Sequence, residues 1–327
     1  MDDPRLHICL SPDCNNNCIF CMEEDREARR RRLNLLDREQ VEALLRSNKD
    51  MGKVLFTAGE PTLHPDLPLL IRMAAGLGYR SIGLITNGRR LAYAPYAEHL
   101  LSAGLNHAVV SIHGHTARIH DGLTRTPGSF EQTLAGLENL ARLKPPSFRL
   151  HTSTVLNRRN LKHLEATLEL LLKLPLNQAV LNAIQPLGRG ASLFKKLVPT
   201  YSEMVEGVAS ALERFRSERG RIRLVDVPPC ILLRLPEEVR GRVENHQHFE
   251  PEGGLPDELA RELDEAALRV PVRKEDYDRV QRIFGPPCDP CPLRPSCDGV
   301  WTRYAAERGW DEFGVKDLHQ DSEEERC

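Results

Sequence analysis

The stretch Ser11-Pro12-Asp13-Cys14-Asn15-Asn16-Asn17-Cys18-Ile19-Phe20-Cys21 follows directly on residues 5–10, which read as a first strand. Three thiolates this close in sequence can grip one face of a small metal cluster. A four-iron cubane held by three cysteines leaves one iron without a protein ligand, open to a substrate or cofactor. The competing reading is a zinc knuckle. Structural zinc wants four closed ligands, usually from C-x-x-C pairs, and the nearest fourth donors, His7 and Cys9, lie on the preceding strand.

Outward from this loop the chain alternates. Strands are expected at residues 53–56, 81–86, 107–112, 148–156 and 178–184, and helices at 66–77, 96–103, 130–143 and 161–172. Asp37 is the expected N-cap of an earlier helix carrying Val41, Leu44 and Leu45 at helical spacing. Gly78, Gly104 and the Pro145-Pro146 pair stop three of the others. Strands separated by helices imply right-handed βαβ units and a parallel sheet. Sustained alternation favours a curved, barrel-like α/β sheet with its functional groups at the C-terminal strand ends. The unusual residues obey that rule. Thr57-Ala58-Gly59-Glu60-Pro61, Thr86-Asn87-Gly88, Ser111-Ile112-His113-Gly114 and Gln185-Pro186-Leu187-Gly188 all follow or close a strand.

The C-x-x-x-C-x-aromatic-C spacing resembles the signature of the radical S-adenosylmethionine (SAM) enzymes, and the resemblance covers roughly residues 5–190. It implies a partial (β/α)6 TIM-like barrel whose three cysteines, Cys14, Cys18 and Cys21, hold a [4Fe-4S] cluster. The open iron would chelate SAM, and reductive cleavage would give a 5′-deoxyadenosyl radical. Ala58-Gly59-Glu60 resembles the family's Gly-Gly-Glu motif, with alanine at its first position. Thr86, Asn87, Ser111, Ser153 and Gln185 resemble SAM-contacting positions, and Arg149 on strand five is the expected partner of the SAM carboxylate. Alternation on that strand points Arg149, His151 and Ser153 into the barrel. His113 is expected either to touch substrate, as a catalytic residue, or to support a neighbour that does.

Beyond residue 195 a second, smaller α+β unit is expected, spanning 196–327. It begins with a helix at 202–218 and a strand at 221–227, and 240–256 reads as a polar loop. Cys288-Asp289-Pro290-Cys291, followed by Cys297, resembles part of the SPASM and twitch extensions of the same enzymes. With Cys230 the four thiols would saturate an auxiliary [4Fe-4S] cluster, the alternative being a four-cysteine zinc site. A helix beginning near Trp301 is expected to pack this region on the core. Cys9 and Cys327 are spare, and the latter ends an acidic tail.

Charge is nearly balanced, 45 Lys+Arg against 47 Asp+Glu, which argues against a nucleic-acid surface driven by bulk charge. No apolar run approaches the ~20 residues that cross a bilayer, and nine cysteines without a signal segment read as cytoplasmic metal ligands. The Arg29–Arg32 run reads as a solvated loop or a contact for an acidic substrate. The SPASM-like cysteines favour oxidative modification of a peptide or protein. Small-molecule or cofactor biosynthesis is the alternative. Molybdenum-cofactor enzymes of the family differ, with a longer last cysteine gap and a terminal glycine pair where this chain ends Glu325-Arg326-Cys327. A flavodoxin or ferredoxin is the expected electron donor. With the first strand near residue 5, a leader peptide would be recognised by a separate protein. Outside enzymes, a two-cluster electron-transfer or redox-sensing protein and a zinc-bearing binding module stay open.

Overall fold

The computed structural model describes residues 5–22, 35–240, 246–249, 272–273 and 281–315. The Arg29–Arg32 run, the acidic tail and Cys327 lie outside the described residues.

Seven parallel strands form the body of the sheet: β1 (Arg5–Cys9), β2 (Lys53–Thr57), β3 (Ser81–Thr86), β4 (His107–Ser111), β5 (Arg149–Leu156), β6 (Gln178–Ala183) and β7 (Ile222–Val225). They lie side by side in chain order, each paired in parallel with the next. This is an open α/β barrel, and β7 extends its parallel sheet beyond the six strands expected. The division drawn at residue 195 therefore falls before the last parallel strand. The segment at 240–256, read as a loop, contains β8 (His246–Phe249), which pairs in parallel with the free side of β1 and antiparallel with β9 (Val272–Arg273).

The helices form because their apolar residues recur along one stripe and their ends are capped. Asp37 caps Arg38–Ser47 in a reciprocal capping box with Gln40. Gly104 ends Ala94–Ala103 in the left-handed conformation. Along β5, Leu150, Thr152, Thr154 and Leu156 are buried while His151, Ser153 and Val155 are half-buried. The buried set packs under helices, so the other set lines the concave face. Register carries this assignment across the sheet: Ser111, Ser153, Val180 and Arg223 form one continuous row on that face.

The C-terminal segment is fastened to the same body. After β10 (Arg282–Ile283) and β11 (Val300–Trp301), the helix Thr302–Arg308 buries Tyr304 against Tyr201, with ring centroids 4.4 Å apart. Tyr201 N donates to the Tyr304 hydroxyl at 3.0 Å.

One helix approaches the rim so closely that no side chain fits. In Ser129–Leu143, a Cβ on Gly136 would stand 2.2 Å from the Gly88 carbonyl oxygen, just after β3. Gly136→Ala is expected to cost about 2 kcal/mol or more, as overpacking against backbone does. Gly76→Ala, with nothing within 4 Å, should be close to neutral. Denaturant midpoints of the two variants test this.

Candidate radical SAM site

Glu60 is fully buried and its carboxylate draws two strand ends together. Oε1 accepts from Thr62 N (3.1 Å), Thr62 Oγ1 (2.6 Å) and Thr86 Oγ1 (2.6 Å), and Oε2 accepts from Asn87 N (2.7 Å). Burial raises its pKa, and the four donors oppose that shift. Its backbone N donates to Asp13 O at 2.7 Å, joining β2's end to the cysteine loop. The Glu60 side chain is thus occupied inside the protein. The Ala58-Gly59 backbone, both residues left-handed (φ 64° and 56°), is the part of this motif turned to a special conformation. Alanine keeps the geometry of the expected glycine at a steric cost.

The cysteine loop is held by its carbonyls. Arg89 Nη1 donates to Asn15 O and to Asn16 Oδ1 (3.2 Å), and Arg189 Nη1 donates to Asn17 O (3.1 Å) and Cys18 O (3.2 Å). Asn87 Nδ2 donates to Asn15 Oδ1 at 2.6 Å and lies 4.0 Å from Cys14 Sγ. Cys14, Cys18 and Cys21 are all half-buried. Burial pushes the Cys18 thiol well above its ordinary range, and the neighbouring Cys21 and Cys14 sulfurs add to the shift. Thiols that resist ionising together fit a polycationic centre, which deprotonates its ligands outright. Asn16 N donates to Cys14 Sγ at 3.4 Å, an N–H···S bond of the kind that tunes cluster ligands.

Beneath the loop, Phe20 meets the His113 ring edge-on at 4.6 Å. His113 is 4% exposed, and its Nδ1 accepts from Val155 N at 3.3 Å. Burial holds its pKa well below the usual range, with nearby His120 adding to the shift. His113 thus packs against the cysteine loop and is not presented to the open face. Ser111 and Ser153 do lie on the concave face, and Ser153 Oγ accepts from Asn182 Nδ2 at 2.9 Å.

Arg149 is a correction. It is the first residue of β5, exposed, with Nη2 on Ser81 Oγ at 2.7 Å. Ser81 is likewise the first residue of β3, so both lie at the N-terminal edge of the sheet. Leu156 lies at the other end of the eight-residue strand, roughly 20 Å of extended chain from Arg149. The face was right and the depth was wrong.

Gln185 sits beside the cysteine loop. Gly190 approaches so near that its Cβ would lie 2.7 Å from Gln185 O and 3.8 Å from Phe20 O. The Gln185 side chain donates to Asp226 Oδ2, and Oε1 is buried without a partner. Asp226 is left-handed (φ 65°), buried, and ion-paired with Arg282 at 2.5 Å. Arg282 stacks over Trp301 at 4.0 Å from the ring centroid. Arg89, Arg189 and Asp226 escaped the sequence reading. Only the Gly188-Arg189-Gly190 context hinted at a tight approach.

Cys230, Cys288, Cys291 and Cys297 line one apolar cavity, walled also by Phe284, Leu293 and Phe313. Gly299 N donates to Cys297 Sγ at 3.3 Å, repeating the N–H···S spacing found at Cys14. Burial pushes the Cys297 thiol up to about 11. Cys9 is buried at the end of β1.

The family model of the Radical SAM superfamily matches residues 8–171. The chain belongs to that superfamily. Membership implies SAM and a [4Fe-4S] cluster. A "Probable GTP 3′,8-cyclase" of Saccharolobus islandicus (strain Y.N.15.51 / Yellowstone #2) is 32% identical over 193 residues, covering 58% of this chain and 60% of that protein. An "AdoMet-dependent heme synthase" of Methanosarcina barkeri is 31% identical over 183 residues, covering 55% of this chain and 50% of that protein. The chain thus spans 60% or less of these curated relatives. Among solved structures, Streptococcus suis SuiB bound to S-adenosylmethionine aligns over 97% of this chain and 75% of its own, with TM-score 0.58 and 13% identity. HydG, a maturase of the [FeFe]-hydrogenase, aligns over 85% and 63%, with TM-score 0.54 and 12% identity. At such identities the likeness is one of fold. No helix among the described residues is long and apolar enough to cross a membrane.

Two outcomes follow from this radical SAM site and its floor. Ala58→Gly should raise stability by about 1 kcal/mol, by relieving the left-handed alanine, as measured by chemical denaturation. The second concerns acid. Burial lowers the pKa values of His107, His113 and His120, the last to about 4, against 6.5 for a free histidine. Below pH 6.5 the unfolded chain takes up protons that the folded one refuses. Stability is present above that pH and is lost as pH falls toward the folded values, at about 1.4 kcal/mol per unit for each histidine. Denaturation midpoints between pH 7 and pH 5 should fall steeply, and His120→Phe should lessen the slope.

Proposed function

We propose that this protein is a radical SAM enzyme of small-molecule or cofactor biosynthesis, with one [4Fe-4S] cluster on Cys14, Cys18 and Cys21 and a second on Cys230, Cys288, Cys291 and Cys297. One observation carries the chemistry: three thiols on a single loop, fastened through Glu60, Asn87, Arg89 and Arg189 to the ends of β2, β3 and β6. When bound, the first cluster and SAM supply reductive cleavage to a 5′-deoxyadenosyl radical, and the second supplies one-electron transfer.

The chain's own groups hold and shield. Ile19 and Phe20, each 8% exposed, keep water from the inner side of the loop. The left-handed Ala58-Gly59 turn offers backbone carbonyls near the cysteines, and Ser111 and Ser153 offer hydroxyls from the concave face. A flavodoxin or ferredoxin is the proposed electron source.

Substrate class rests on the relatives. Both are named for small-molecule chemistry, and the peptide expectation rested on the C-terminal cysteines alone. For the second centre, four thiols lining one apolar cavity are the donor set a [4Fe-4S] cluster would use, with a four-cysteine zinc site as the alternative.

Anaerobic reconstitution with iron and sulfide counts tests both centres. Wild type should hold about eight irons. The Cys14→Ala/Cys18→Ala/Cys21→Ala variant should hold half as many and form no 5′-deoxyadenosine with SAM and dithionite. Nucleotides, GTP first, and tetrapyrroles should raise 5′-deoxyadenosine formation in wild type. Stimulation by peptides alone would return the assignment to peptide modification, and zinc at the C-terminal thiols would remove the second cluster.

A further inference from the structure

We infer that Arg223 seats an anionic group of the substrate, a phosphate or a carboxylate, on the concave face of the barrel. This rests on the reading of the protein as a small-molecule radical SAM enzyme and names the chemistry that reading leaves open.

Arg223 occupies the register row Ser111–Ser153–Val180–Arg223. Its neighbours Ile222 and Leu224 are buried on the helix-packed side, and Arg223 is half-buried on the other. That concave side is polar and open: Ser111, His151, Ser153, Gln178 and Asn182 are all half-buried there. No concave position of β1 to β7 carries Asp or Glu. A guanidinium in such a place costs desolvation that a counter-charge would offset.

Among the described residues the protein supplies no counter-charge. The one hydrogen bond of the Arg223 side chain is Nη1 to Ile222 O at 3.4 Å, and no carboxylate among the described residues pairs with it. Other arginines here are tied down. Arg282 lies on Asp226 and Trp301, Arg221 on Glu218 and three carbonyls, and Arg149 on Ser81 at the far edge. Among the described arginines, Arg223 combines the open concave face with an unspent fork of N–H donors, suited to bidentate recognition of carboxylate or phosphate. It stands three strands beyond Ser111, about 14 Å along the sheet. The nearer of the two hydroxyls proposed for SAM on this row, Ser153, is two strands away, about 10 Å. The anion is therefore assigned to the substrate.

The test uses reconstituted full-length protein and phenylglyoxal, which modifies accessible arginines, read by peptide mass spectrometry. Arg223 should react readily and Arg282 should not. Tripolyphosphate or citrate should slow Arg223 modification, the first marking a phosphate site and the second a carboxylate site. Arg223→Gln should weaken binding of the protecting anion in calorimetry by about tenfold or more, and Arg223→Lys should retain part of it. Protection by neither anion, protection by SAM alone, or unchanged anion binding in Arg223→Gln would each overturn the assignment. The two readings separate cleanly. Wild type that forms 5′-deoxyadenosine without anion protection keeps the enzyme and loses the anion site, and protection without 5′-deoxyadenosine does the reverse.

Discussion

A single buried carboxylate decides whether the rim is one object or several. Glu60 reaches no solvent, so its charge must be met inside the protein, and four donors from two strand ends meet it. Each donor is thereby satisfied and each loop is fixed in place. The cysteine loop hangs on the same residue through Glu60 N and Asp13 O. Position in the sheet makes this work. Parallel strands end side by side, so a residue just past β2 can reach the residues that end β3 and lie just past it. An antiparallel sheet would have sent those loops to opposite ends.

A second buried charge does comparable work lower in the chain. The Asp226–Arg282 pair fixes the C-terminal segment to the end of β7, and Gln185 attaches it to the loop after β6. Buried pairs of this kind contribute little net stability, because desolvation offsets most of the attraction. Their value is register: Asp226 takes a left-handed backbone that an ordinary residue avoids, and the surrounding contacts hold it there. The thiols around the second cavity thus keep a defined position relative to the first loop.

Most of the fold was legible because its signals are local. Alternating strands and helices, the Asp37 cap and the glycine stops are written within a few residues of where they act. Face parity on β5 was legible for the same reason. Depth along a strand was not. Arg149 and Ser153 share a face, and only the partner register shows that one lies at the bottom of the sheet. Non-local pairing also hid β8, whose polar sequence becomes a strand by lying against β1. The Cys14, Cys18 and Cys21 loop was readable from spacing. The arginines that hold its carbonyls were not, since Arg189 is more than 160 residues away in sequence.

Holding the cysteine loop by its carbonyls has a consequence for electron flow. Asn15, Asn17 and Cys18 spend backbone oxygens on two guanidinium groups that come from opposite sides, after β3 and after β6. A frame braced in this way moves little when the charge inside it changes by one electron. The same two cations lower the electrostatic cost of adding negative charge between them. With a cluster held in the loop, as proposed, Arg89 and Arg189 would ease the arrival of an electron.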